Sequence, residues 1–441
     1  MRNNNDTIAA LATSSGEGGI AIIRISGTEA LSILKKVFRP SSKKHAFEHR
    51  YMMYGNALME DGSVLDEVMA VYFTAPSTYT REDIAEIHTH GGLISGKVLE
   101  RVISLGARPA EKGEFTYRAF LNGRIGLESA EAVMDLISAS SEQAARASVR
   151  QLKGGVSSKI GTCREKLLEL VSLIDAAADY PEEIDEEVTA RTVRAETEKI
   201  HALLSSCADE RYARILHKGA SCVIAGVPNV GKSSVMNALL SSDRSIVTDI
   251  PGTTRDTVSE KITIGGVGLT LTDTAGIRET GDIIEKIGVD RAESSIKDAD
   301  CVILVLDASR PISKEEQALI DKMDARYIPV ANKTDLKDED FGFCLKLSAK
   351  TGEGLTELQN RVYNMISPGE DDEKLMTLRH VECAKKAAEC LDRVLTSPEC
   401  TFLDLFREDL TEALNHLGEI TGENIGENVI DSIFERFCVG K

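Results

Sequence analysis

Residues Gly226 to Ser233 read GVPNVGKS, the pattern G-x-x-x-x-G-K-[ST] that cradles nucleotide phosphates. It follows the apolar run Ser221 to Ala225 and precedes a helical stretch, the setting such a loop requires. Its glycines let backbone N–H groups turn inward around phosphate oxygens at a helix N-terminus. Lys232 brings a point charge to the β- and γ-phosphates, Ser233 offers a hydroxyl to Mg²⁺, and Asn229, Val230, Gly231 and Ser234 complete the cradle. Downstream, Asp273, Thr274, Ala275 and Gly276 form DTAG, whose carboxylate can hold Mg²⁺ through water while the glycine N–H reaches a γ-phosphate. In NKTD, Asn332 to Asp335, the Asp335 carboxylate can accept from N1–H and the 2-amino group of guanine, donors that adenine lacks. Lys333 lies in the same loop. After a further apolar run, Ser348, Ala349 and Lys350 form SAK, where the backbone N–H of Ala349 can close over the guanine carbonyl. Four motifs in this order, each ending an expected strand, predict GTP binding at the carboxyl edge of an α/β sheet.

Between the first two motifs lies TDIPGTTRD, which contains Thr248, Asp249, Ile250, Pro251, Gly252, Thr253 and Thr254. Its tandem threonines resemble the segment that GTPases order on the γ-phosphate, and Thr254 is the expected second Mg²⁺ ligand. Ile277 follows DTAG where Ras-like enzymes place the glutamine that orients water, so another device must serve. Asn229, together with a loop before Thr253 that can turn carbonyls inward, suggests K⁺ in the role of an arginine finger.

The elements that must position these groups fall into four stretches. Residues 1–119 mix strand-like runs, such as Ile20 to Ile25 and Val68 to Phe73, with Gly, Pro and Ser clusters, which reads as an α+β domain. Residues 120–217 turn helical, with Leu167, Leu168, Val171 and Ile174 at three- and four-residue spacing. Pro181 and the run EEIDEE mark a turn between two helices, the acidic residues being a solvated helix start. Residues 218–367 alternate short apolar strands with helical stretches, which predicts a parallel sheet covered on both faces. Residues 368–441 return to helical texture. A discontinuous helical domain interrupted by an inserted α/β domain explains that return, because insertions succeed where two chain ends lie close.

Composition bounds what such a chain can do. Its 441 residues suffice for about three domains, and 42% apolar with 28% charged residues matches ordinary water-soluble usage. No run approaches the ~18 apolar residues needed to cross a membrane, so no membrane partner is expected. Lys plus Arg total 52 against 71 Asp plus Glu, a net charge of -19 that disfavours a whole-surface nucleic-acid clamp, so any RNA contact is local or shared with a partner. Nine cysteines without a CxxC pair fit a reducing compartment. The first residues lack the regions of a signal or transit peptide, so a cytoplasmic location is expected. His88 and His90 fall on one face of a possible strand, where they either bind metal or simply pack and face solvent.

Taken together, GxPNxGKSS, DIPGTTRD, DTAGIRE, NKTD and a chain ending in FCVGK resemble the MnmE (TrmE) family of tRNA modification GTPases. The N-terminal DTIAALAT, GGIAIIRISG, YTREDIAEIHTHGG and KGEFTYRAFLNGRIGLESAEAVMDLI fit it as well. The resemblance implies an N-terminal folate-binding and dimerisation domain, a helical domain from two chain segments, and an inserted Ras-like P-loop G domain. It implies K⁺ ligands at Asn229, Thr248, Ile250 and Thr253, Mg²⁺ ligands at Ser233 and Thr254, and a water-orienting glutamate at Glu285, a residue that could otherwise be an exposed helix carboxylate. Arg24, Glu82 and Arg124 match its folate pocket; Arg124 stands where the family carries lysine, and Arg24 could equally be an edge residue. Cys438 matches a cysteine thought to act in the modification, or is an idle thiol. A homodimer working with the flavoprotein MnmG is implied, with tRNA bound mainly by that partner. A reduced folate, 5,10-methylene- or 5-formyl-tetrahydrofolate, would supply one carbon for an aminomethyl or carboxymethylaminomethyl group on the wobble uridine. The alternative is a ribosome-assembly switch of the Era or Der type, which leaves the N-terminal domain unexplained.

Overall fold

The structure is a computed structural model that describes residues 6–14, 16–242, 259–273, 295–337, 339, 341–367, 369, 374–398 and 403–441. The chain forms two compact units, residues 1–134 with 418–441, and residues 135–417.

The first unit contains β1 (Ile8–Leu11), β2 (Ala21–Ser26), α1 (Ala30–Val37), β3 (Phe38–Pro40), β4 (Met53–Leu58), β5 (Val64–Phe73), β6 (Ile84–Thr89), α2 (Leu93–Ser104), β7 (Arg108–Pro109), α3 (Glu114–Leu121) and α4 (Leu127–Ser138). Its sheet runs β3-β4-β5-β6-β2-β1-β7, antiparallel except for the β1–β7 pair. Strand alternation sends Ile23, Ile25, Ala85 and Ile87 into a core with Ile33, Leu34, Val98 and Val102 of α1 and α2. Arg24 and Glu86 are register partners on the opposite face. The C-terminal helix Glu427–Phe434 places Phe434 against Tyr117 and Phe120 of α3, with ring centroids at 5.2 and 6.3 Å. Arg118, fully buried in α3, is held by Asp6 at 2.5 Å, Glu114 at 3.1 Å and Glu82 at 3.2 Å.

The second unit opens with α5 (Glu142–Leu152), α6 (Gly155–Asp179), α7 (Glu186–Cys207) and α8 (Glu210–Lys218). Its α/β part follows as β8 (Ala220–Ala225), α9 (Lys232–Ser242), β9 (Ser259–Ile264), β10 (Val267–Asp273), β11 (Cys301–Asp307), α10 (Lys314–Ile320), β12 (Tyr327–Asn332), β13 (Leu345–Lys346) and α11 (Leu355–Ile366). Two long helices, α12 (Leu378–Thr396) and α13 (Leu403–Thr421), come next, and α14 (Glu427–Phe434) is the C-terminal helix already placed in the first unit. Pro181 lies in the α6–α7 turn, and Asp185 caps α7 by accepting from the N–H of Val188 at 3.0 Å, so EEIDEE is a solvated helix start.

The second sheet runs β13-β12-β11-β8-β10-β9. Its strands pair in parallel except at one edge, where β9 is antiparallel to β10, so the expected all-parallel sheet is in fact mixed. The cause is local: Gly265 and Gly266 take φ of +59° and +83°, the paired positive values of a two-residue hairpin turn. Strand β11 is buried along its whole length, which accounts for its unbroken apolar run.

Candidate functional site

The phosphate loop lies where buried β8 ends and α9 begins. Lys232 is the first residue of α9, 7% exposed, and its ammonium donates to the carbonyls of Gly226 and Val227, each at 3.0 Å. Those carbonyls hold the charge at the mouth of the loop, from which a phosphate can draw it. Ser233 donates its hydroxyl to Asp273 Oδ2 at 2.7 Å. The hydroxyl expected to bind Mg²⁺ and the carboxylate expected to hold it through water therefore converge from α9 and the end of β10, as a hard divalent cation with water in its shell requires.

Asn332, 2% exposed at the end of β12, ties the motifs together. Its amide donates to the carbonyl of Val230 at 2.9 Å, and its side-chain oxygen accepts from the N–H of Ala349 at 3.1 Å. A Cβ on Gly231 would stand 2.4 Å from that amide nitrogen, so residue 231 must be glycine for the strut to form. Lys333 donates to the carbonyl of Asn229 and to Asp307 Oδ2, both at 2.7 Å. Burial opposes the charge on Asp307, yet hydrogen bonds from Lys333 and Ser309 hold its carboxyl below the ordinary aspartate value. Asp335 Oδ1 accepts from the buried Ser348 hydroxyl at 2.8 Å, which orients the carboxylate that would read guanine. Asp307 escaped the sequence reading, although its place at the end of an apolar strand was a usable signal.

In the first unit, Arg24 and Arg124 border one cavity of about 670 Å³, which Tyr79, Arg50, Arg81 and Glu86 also line. Arg24 donates to Glu86 at 2.8 Å, and its guanidinium lies 5.8 Å from the Tyr79 ring centroid and 5.7 Å from that of Phe115. Arg124 covers Tyr79 at 4.6 Å and donates to that residue's carbonyl at 3.2 Å. Burial opposes charge on Glu86, but His88 and Arg24 hold its carboxyl below the ordinary glutamate value. Glu82 is not among the lining residues. It accepts from Ser26 at 2.7 Å and pairs with Arg118. Glu86 and Tyr79 were missed by the sequence reading because alternation on β6 and a loop aromatic carry no motif.

Cys438 is exposed on a tail that docks in the same unit. Its carbonyl accepts from the N–H of Gly113 at 3.4 Å, and a main-chain oxygen of Lys441 accepts from the N–H of Phe115 at 3.2 Å. Phe115, fully buried, is also the residue whose ring lies 5.7 Å from the Arg24 guanidinium. His88 sits 3.6 Å from Glu86, and exposed His90 pairs with Asp66 at 2.8 Å. Thr248 to Thr254, Thr274 to Gly276 and Glu285 lie outside the described residues, as do all the expected K⁺ ligands except Asn229.

A phosphate loop, a serine–aspartate pair and a guanine-reading loop at the carboxyl ends of largely parallel strands define a P-loop GTPase. Two family models match the chain: the GTP-binding protein TrmE N-terminus over residues 7–124, and the MnmE helical domain over residues 127–438. The tRNA modification GTPase MnmE of Clostridioides difficile is 41% identical, with 99% of each chain covered. That of Acetivibrio thermocellus is 42% identical, again over 99% of both. Among solved structures, the G domain of the T. maritima FeoB iron transporter is 28% identical, covering 33% of this chain and 98% of that one at a TM-score of 0.25. The chain belongs to the MnmE family of tRNA modification GTPases.

Proposed function

We propose that this GTPase is K⁺-dependent and acts with an MnmG-type flavoprotein to place an aminomethyl or carboxymethylaminomethyl group on carbon 5 of the tRNA wobble uridine. The observation that carries this reading is the pairing, in one chain, of the Lys232–Ser233–Asp273 phosphate site with a separate cavity bordered by Arg24 and Arg124. A pure assembly switch has no use for that cavity.

Ser233 would hold Mg²⁺, with Thr254 as second ligand, and Asp273 would act through water. Asn229, Thr248, Ile250 and Thr253 would hold K⁺, and Glu285 would orient the attacking water. When bound, the two cations supply positive charge against the charge that develops on the phosphates. Arg24 and Arg124 suit the carboxylates of a reduced folate, and Tyr79 and Glu86 give its ring system a face and a polar partner. Glu82 would act from behind this wall through Arg118 and Ser26. Cys438, exposed on the C-terminal tail of the same unit, would take part in the modification reaction. We further propose a cytoplasmic homodimer formed through the first unit, tRNA contact mainly through the partner, and four segments: 1–119, 120–217, 218–367 and 368–441.

The test is mass spectrometry of tRNA nucleosides from cells depleted of this protein and rescued with wild type or Asp273→Asn. Loss of the 5-substituted wobble uridine, restored by wild type alone, supports the reading. An unchanged nucleoside profile with accumulating ribosomal precursors overturns it in favour of an assembly GTPase.

A further inference from the structure

Helices α12 and α13 bring together three side chains that the GTPase chemistry does not use. Glu412 and His416 are four residues apart on α13, so they share one face of that helix. Cys390 faces them from α12. One ligand atom from each, the Cys390 sulfur, a Glu412 oxygen and a His416 nitrogen, lies within 4.8 Å of the others. Among the described residues this is the one group of three such donors within that reach. The pair His88 and His90, which the sequence offered as a metal site, gathers no such group.

We propose that Cys390, Glu412 and His416 form a three-ligand zinc site that clips α12 to α13, with water as the fourth ligand. Donor chemistry selects the metal. A thiolate, an imidazole and a carboxylate suit Zn²⁺, or Co²⁺ as its spectroscopic substitute, whereas Mg²⁺ has no use for sulfur. Geometry allows it too. Ligands at about 2.0–2.3 Å from a tetrahedral zinc lie about 3.5 Å from one another, so atoms that already lie within 4.8 Å must draw in by at most about 1.3 Å. That is a rotamer adjustment rather than a backbone shift.

The charged neighbours set what binding displaces. Arg393 donates through Nε to Asp409 at 2.6 Å and also to Glu412. Zinc replaces this second contact: Glu412 turns to the metal while Asp409 keeps the guanidinium neutralised. Buried Cys390 lies at the bottom of the site, half-buried His416 beside it and exposed Glu412 at the rim, so the ion has a path from solvent. On binding, the Cys390 S–H bond breaks, the sulfur keeps the electron pair as thiolate, and the proton leaves to solvent. No oxidation or reduction is involved.

The experiment uses full-length, nucleotide-free protein stripped with a chelator and kept in excess Mg²⁺, titrated with Co²⁺ and then with Zn²⁺ against a chromophoric chelator. The expected result is one equivalent bound, with a near-ultraviolet thiolate-to-cobalt band that zinc displaces. Cys390→Ser should abolish the band. His416→Ala should weaken zinc by more than the roughly 10–100-fold that losing an outer-shell partner costs. Should Cys390→Ser fail to fold, judged by circular dichroism, His416→Ala and Glu412→Gln carry the test. Absence of the band in wild type overturns the proposal. So does a band that survives these changes, or one that vanishes in Cys438→Ser, which would assign the thiolate to the exposed tail.

Discussion

Ser233 on α9 and Asp273 at the end of β10 share a hydrogen bond of 2.7 Å, although forty residues separate them in the chain. The bond aligns both oxygens on one point beside the phosphate loop, where each motif separately called for a Mg²⁺ contact. Removing the serine hydroxyl should therefore affect turnover more than folding. Ser233→Ala is expected to lower kcat for GTP by roughly 100-fold or more, the several kcal/mol of charge stabilisation a divalent ion supplies. Its thermal midpoint should stay near wild type. Steady-state hydrolysis across a Mg²⁺ titration, beside a melting curve, checks both.

Asp335 is preset by Ser348, whose buried hydroxyl donates to it at 2.8 Å. Asp335→Asn turns an acceptor into a donor opposite the guanine 2-amino group. GTP affinity should fall by roughly 1.5–3 kcal/mol, about ten- to a hundredfold, the range for a hydrogen bond to a charged group. Xanthosine triphosphate, which has a carbonyl at that position, should gain correspondingly. Equal losses for both nucleotides would remove Asp335 from base reading.

How far these relationships were legible in the sequence depends on how local they are. The phosphate loop is one contiguous segment whose chemistry and backbone requirement coincide, so its letters suffice. Asp307 is different: its role arises because Lys333, a loop residue at positive φ, bridges it to the carbonyl of Asn229. No spacing encodes a contact between three loops. The β9–β10 hairpin went unread, although Gly265-Gly266 is the pair that a two-residue hairpin turn calls for. In the N-terminal unit, Arg24 could be found by its motif, whereas Glu86 becomes its partner only through the β2–β6 register.

The buried ionic cluster of the first unit makes that unit acid-sensitive. Burial opposes charge on Glu114, yet Arg108 at 2.6 Å and Arg118 at 3.1 Å hold its carboxyl below the ordinary value of 4.5. Asp6 is likewise held below 3.8, burial working against Arg108 and Arg118. A depressed folded-state value means the stabilisation is complete above the ordinary value and is lost as pH falls through the lower one. The melting temperature of this unit should be flat above about pH 5 and fall steeply below about pH 4. In Glu114→Gln the acid slope should shrink, while stability near pH 7 drops by about 3–5 kcal/mol because two guanidiniums lose their buried counter-charge. Melting curves across pH 3–7 check the sign.

The K⁺ reading rests on Asn229, whose backbone is held at φ +69° with its carbonyl bound by Lys333. GTP hydrolysis should be at least 10-fold faster in K⁺ than in Na⁺ at equal ionic strength, a cation in the arginine-finger position being worth far more than that when fully effective. Asn229→Ala should bring the two rates together. Equal rates in the wild type would remove the cation from the mechanism.

The cavity bordered by Arg24 and Arg124 separates charge from stacking. Arg24 is fixed on three sides, by Glu86 at 2.8 Å and by the rings of Tyr79 and Phe115. Its guanidinium is thereby presented to the cavity with little freedom left to lose on binding, and that preorganisation is what a carboxylate ligand would exploit. Arg24→Ala removes the charge and leaves Glu86 half-buried without its arginine, so 5-formyl-tetrahydrofolate binding should weaken by roughly 1.5–3 kcal/mol, about ten- to a hundredfold. Arg124 is held more loosely, by the backbone carbonyl of Tyr79 and the face of its ring at 4.6 Å. Arg124→Lys keeps the charge and gives up the planar stack, which is worth roughly 0.5–1 kcal/mol at exposed sites, so a two- to fivefold loss is expected. Calorimetric titration of both variants distinguishes the roles. A larger loss in Arg124→Lys than in Arg24→Ala would show that the folate carboxylates meet Arg124, and would reassign Arg24 to holding Glu86 and the cavity wall.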